Sequence, residues 1–127
     1  MTRKEIIEYA AAQYGSEPEY LWTRYPGYAV FRHRGSGKWY ALLADVPAEK
    51  LGLSGAGAID ILNVKNEPMT VDFFRRLDGF FPAYHMNKKS WISLDISRVP
   101  ESQIKELIDA SYIITAVKNK RSGEKNV

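Results

Sequence analysis

The first periodic stretch of the chain is helical. Ile6, Ala10 and Tyr14, with Ile7 and Ala11 beside them, place apolar side chains along one stripe. The preceding Thr2-Arg3-Lys4-Glu5 has the form of a capping box, in which Thr2 and Glu5 satisfy each other's amides. Gly15 stands where a left-handed residue ends a helix, so the helix is predicted over about residues 3–14.

Beyond "GSEPEY" the period shortens. "LWTRY" and "YAVFRHR", separated by Pro26-Gly27, and "KWYALLADV", beyond Gly35-Ser36-Gly37, read as three extended segments of a meander, with the last two forming a hairpin. "LGLSGAGA" matches neither a P-loop nor a dinucleotide fingerprint and reads as a connection. A fourth strand is predicted in "AIDILNVKN", with Asp60, Leu62 and Val64 on one face and Ile61, Asn63 and Lys65 on the other.

Pro68 and Thr70 open a second helix, expected to bury Phe73, Phe74 and Leu77 and to stop at Gly79. In "WISLDI", Ile92, Leu94 and Ile96 alternate with Trp91, Ser93 and Asp95, a strand with one buried face. A last helix begins near Pro100 and turns Ile104, Leu107, Ile108, Ser111, Ile114 and Thr115 inward, running to about Lys118; Ser111 reads as a small residue admitting close helix–sheet packing. The order predicts one α+β domain over residues 1–117, a mainly antiparallel sheet of about five strands flanked by three helices.

Composition narrows the chemistry. With 127 residues, 45% hydrophobic and 26% charged, the chain suits one domain, and it holds no apolar run of membrane-spanning length and no secretory leader pattern, so a cytosolic location is expected. It has no cysteine and only His33 and His85, which argues against thiolate chemistry and zinc; no metal or organic cofactor is expected. The net charge of +3 resides in residues 118–127, where Lys118, Lys120, Arg121 and Lys125 oppose Glu124; the other residues carry 14 basic and 14 acidic side chains. This segment reads as a basic, flexible tail, so a basic surface on the body requires local clustering.

Four segments, "LWTRYPGYAVFRHRGSGKWYALL", "DILNVKN", "PAYHMNKKSWISLDI" and "LIDASYIITAVK", together resemble the MmcQ/YjbR family of small bacterial proteins, in the same order and over nearly the whole chain. The most specific piece is Tyr84-His85-Met86-Asn87-Lys88-Lys89 followed by Trp91. Ser90 departs from the pattern, since members often carry a second histidine there, and Trp39 stands where a smaller apolar residue is usual. The resemblance implies a curved sheet similar to the "double wing" DNA-binding domain of a phage transcription activator. It implies no reaction and no cofactor.

The candidate nucleic-acid-binding residues are Arg32, Arg34 and Lys38 around the hairpin turn and His85, Asn87, Lys88, Lys89 and Trp91 before and within the fifth strand. The cations would meet phosphates, Asn87 a base edge and Trp91 a base face, if both regions share one edge of the sheet. The competing reading is a solvated turn, with Asn87 in an Asx or left-handed conformation, Met86 filling a core gap and the arginines paired to carboxylates. A protein partner or a small anion would use the same surface. A catalytic reading would make His85 a general base oriented by Asp95 or Asp60, but no serine has a nucleophile's setting, and the chain is not expected to be an enzyme.

Overall fold

Helix α1 (Arg3–Tyr14) starts with the capping box intact: Glu5 N donates to Thr2 Oγ1 at 3.1 Å and Thr2 N to Glu5 Oε1 at 2.9 Å. Gly15, at φ 67°, closes it. There follow β1 (Ala29–Arg32), β2 (Trp39–Pro47), a 3₁₀ turn (Ala48–Leu51), β3 (Ala58–Lys65), α2 (Pro68–Phe74), β4 (Phe80–Pro82), β5 (Trp91–Asp95) and α3 (Glu101–Glu124). The computed structural model describes the backbone of residues 1–124 and the side chains of residues 1–116, so the charges of the basic segment 118–127 lie outside the described residues. No described helix is long and apolar enough to cross a membrane.

The strands form one antiparallel sheet in the order β1-β2-β3-β5-β4. Period-two alternation divides it into two faces, both buried. Ala29, Phe31, Leu43, Leu62, Val64, Ile92 and Leu94 meet Ile6 and Ala10 of α1, Val71 of α2 and Ile104, Leu107 and Ile108 of α3. Val30, Leu42, Ala44, Val46 and Ile61 lie on the other face, where Trp22, Trp39, Tyr84 and Met86 from loops and strand ends complete a second cluster.

A bulge sets the hairpin. Phe31 faces Ala41 but Arg32 faces Trp39, leaving Tyr40 as the additional residue of β2. Tyr40 and Ala41 therefore both join the helix-side cluster, while Trp39 joins the loop-side one.

Five strands are present, but not the five expected. Residues 21–25 of "LWTRY" form no strand; only Glu19 bridges to Val30, and Pro26-Gly27 lies in a turn. The fifth strand is instead "FFP", three residues too short to show a period. Of the face expected in α2, Phe74 packs on the core and the other two residues do not. Phe73 is 59% exposed and Leu77 also lies open, because the helix ends at Phe74 and anchors through Val71.

Candidate nucleic-acid interface

Strand polarity brings the hairpin turn and the loop before β5 to the same end of the sheet. Arg32 pairs with Trp39 in register, Val64 with Ala41, and Lys65 with Trp91, so the β1–β2 turn, the end of β3 and the start of β5 lie side by side. Strand spacing puts β2 and β5 roughly 10 Å apart.

The three hairpin cations go three ways. Arg32 is committed to Glu19 by paired hydrogen bonds, Nε to Oε2 at 3.1 Å and a terminal nitrogen to Oε1 at 2.6 Å. This pairing holds the Glu19 carboxyl below its ordinary value and the guanidinium above its own. Arg34 is exposed and turns toward the end of α1, where its one polar contact among the described residues is the Gly15 carbonyl at 3.5 Å. Lys38 alone turns toward the loop, sharing a cavity with Met86 and Trp91. Between them His33 faces α3, its Nε2 2.8 Å from Thr115 Oγ1. Burial pushes its imidazole below the ordinary histidine value, against a hydrogen bond to the Tyr112 backbone.

The loop of residues 84–90 is built by local bonding. Asn87 Oδ1 accepts from Lys89 N at 2.8 Å and Ser90 N at 3.4 Å, an Asx turn, and the Asn87 carbonyl accepts from Trp91 N at 3.0 Å. The amide side chain is thus occupied in shaping the loop. The left-handed residue is His85, at φ 60°. Its exposed imidazole lies 4.0 Å from the Tyr84 ring. Met86 packs into the loop-side cluster. Lys88 and Lys89 are exposed, and Lys88 lines a 380 Å³ cleft with Lys50, Leu51, Phe81 and Tyr84.

Trp91 lies on the loop-side face, as its alternation with Ile92 requires, but is only 8% exposed. The suggested catalytic pair does not form. Asp60 pairs with Arg3 at 3.6 Å, Asp95 Oδ1 accepts from Ser97 N and Oγ, and the His85 ring lies against Tyr84.

Two supports of this sheet end go beyond the sequence reading, which gave Ser111 only as a small packing residue. Ser111 Oγ donates to the Tyr40 carbonyl at 2.6 Å and accepts from Lys65 N at 2.9 Å, tying α3 to β2 and β3 beside the bulge. Asn63 and Ser93 hold the root of the loop from beneath, as Tyr84 N donates to Ser93 Oγ at 2.9 Å. Nothing in the alternation distinguishes these buried hydroxyls and amide from solvent-facing ones. For Asn63 and Ser93 the usable signal is that both chain neighbours are strongly apolar.

Comparison with known proteins places the architecture. The YjbR family model matches residues 11–114. The uncharacterised protein YyaQ of Bacillus subtilis is 44% identical over 116 residues, covering 91% of this chain and 98% of that protein. A crystal structure of a Pseudomonas syringae protein is similar at TM-score 0.88 and 41% identity, covering 91% of this chain and 99% of that one. A Deinococcus radiodurans protein, 20% identical, shares the fold at TM-score 0.72 over 93% of this chain and 80% of its own. With the family model spanning both the hairpin and the loop before β5, the chain belongs to the YjbR family.

Proposed function

We propose that this chain is a small nucleic-acid-binding module, with DNA its expected partner, acting through the sheet end that carries residues 33–38 and 84–90. The carrying observation is a division among its cations. Arg3, Lys4, Arg32, Arg75, Arg76, Arg98 and Lys105 each have a carboxylate within 4.0 Å. Arg24, Arg34, Lys38, Lys50, Lys88 and Lys89 have none among the described residues, and four of these six, Arg34, Lys38, Lys88 and Lys89, are exposed on the two loops of one sheet end. On a body of balanced charge, unneutralised cations grouped this way form a local positive field suited to a phosphate backbone. The likeness of this fold class to a double-wing DNA-binding domain is consistent with the reading, as an analogy of shape.

A protein or small-anion partner is the second reading, favoured by the cleft between Lys50 and Lys88 with its apolar floor of Leu51 and Phe81. Binding of a labelled oligonucleotide as a function of salt separates the two. Four neutralised phosphates give a log–log slope of about −3.6 on duplex DNA and about −2.8 on a single strand. Combined Lys38→Ala, Lys88→Ala and Lys89→Ala should remove most of that slope. Neutralising Lys118, Lys120, Arg121 and Lys125 tests the tail. If that change alone abolishes binding while the loop variant binds normally, the sheet-end reading fails.

A further inference from the structure

Between the hairpin and the loop lies a cavity of about 260 Å³ lined by Lys38, Trp39, Lys65, Met86, Trp91 and Thr115. Its chemistry differs from that of the surrounding lysine-rich surface. Two indoles, of which Trp91 is 8% exposed, and a thioether line it together with Lys38.

The walls are held in place before any ligand arrives. Trp39 stands edge-on to Trp22, ring centroids 5.8 Å apart at 84°, and Trp22 meets Tyr28 in the same manner at 5.8 Å and 74°. Trp91 is fixed by its register opposite Lys65 and by its amide bond to Asn87. Rigid aromatic walls lose little conformational freedom on binding, which favours affinity.

Building on the nucleic-acid reading, we infer that this cavity receives one unstacked nucleobase, with the adjoining phosphate at Lys38. A planar heteroaromatic ring matches a cavity lined by two indoles and a thioether. The volume falls below the usual small-molecule range of about 300–1,000 Å³, which suits a base delivered on a strand. A base inside a duplex is covered on both faces and cannot enter. The preferred partner is therefore a single strand or a strand with an extruded base.

The test compares a labelled single strand with a duplex of the same sequence by fluorescence anisotropy at low salt, using the full chain. The single strand should bind about tenfold more tightly, and Trp39→Leu should weaken single-strand binding by about tenfold while leaving duplex binding alone. Lys88→Ala with Lys89→Ala should weaken both. Equal binding of the two forms, unaffected by Trp39→Leu, overturns the base pocket and leaves the phosphate reading standing; no binding of either form overturns both. Should Trp39→Leu fail to fold by circular dichroism, indole fluorescence of the wild type provides the readout. Quenching by a nucleoside monophosphate but not by inorganic phosphate is then expected, and identical responses to the two refute the pocket.

Discussion

Ser93 donates its hydroxyl hydrogen to the amide oxygen of Asn63 directly across the β3–β5 pair, and both side chains are fully buried. The same hydroxyl oxygen accepts from Tyr84 N, and Asn63 Nδ2 donates to the Tyr84 carbonyl at 3.4 Å. Two buried side chains thus hold the backbone of the loop's first residue just beyond β4. Ser93→Ala would strand the Tyr84 amide and the Asn63 oxygen in a dry place, at an expected cost of about 1–3 kcal/mol in urea unfolding. Amide exchange in residues 84–90 should quicken. Ser90→Ala, whose hydroxyl bonds no described residue, should stay within about 0.5 kcal/mol of the parent.

His85 is the one non-glycine residue with positive φ among the described residues. For a side-chain-bearing residue the left-handed region costs about 1–2 kcal/mol, whereas glycine enters it freely but loses more backbone entropy on folding. The two effects nearly cancel for His85→Gly, which should lie within about 0.5 kcal/mol of the parent. His85→Val, with a β-branched side chain, should lose about 1–2 kcal/mol. Equal stabilities of the two variants would show that the loop relaxes out of this conformation.

The contrast between Asn87 and His85 shows what the sequence could and could not convey. An Asx turn is a local interaction, so Asn87 followed by lysines foretells it, and the structure contains it. Which residue becomes left-handed depends on how Tyr84 is pinned by Ser93, thirty residues from Asn63 in the chain. Regular elements with a clear period, α1 and β5 among them, were legible for the same local reason. "FFP" became a strand only because β5 offered it an edge, and "LWTRY" lost its strand because Trp22 was drawn onto the second face of the sheet. The shared sheet end of hairpin and loop follows from strand order, which no local pattern encodes.

His33 makes stability depend on pH near neutrality. Its Nε2 lies 2.8 Å from Thr115 Oγ1, whose hydroxyl donates to the Ser111 carbonyl at 2.7 Å. Burial lowers the folded-state value below the ordinary 6.5, which means that the unfolded chain binds more protons in the interval between them. Stability is therefore complete above about pH 6.5 and falls as pH drops through the lowered value. Thermal unfolding should shift downward over this interval, and His33→Gln should flatten the step. Losses from Glu19, Asp72 and Glu101, whose carboxyls are held low by Arg32, Arg75 with Arg76, and Lys105, belong to more acidic solution and should persist in that variant.

Arg32 and Lys88 are both basic candidates in the sequence, yet they should behave differently toward a polyanion. Arg32 has both arms on Glu19, whereas Lys88 has no carboxylate partner among the described residues. Lys88→Ala should reduce the magnitude of the duplex salt slope by about 0.9, the contribution of one phosphate. Arg32→Ala should leave the slope unchanged, provided Glu19 is replaced by Gln in the same chain so that no new negative charge is uncovered. A loss of slope from the Arg32 change would mean that the pair opens to meet the ligand.

Helix α2 offers the clearest separation of apolar pattern from packing. Phe73 and Leu77 are four apart and look like one helical face, but the helix stops at Phe74, and Leu77 lies in the turn that leads to β4. Val71 carries the attachment to the core, with Phe74 supporting it against Phe80 at 5.0 Å between ring centroids. Val71→Ala should therefore cost about 1–3 kcal/mol, while Phe73→Ser, at a position mostly in water, should cost less than about 1 kcal/mol. Denaturant unfolding of the two variants decides the matter: a larger loss from Phe73→Ser would mean that its ring is covered in solution.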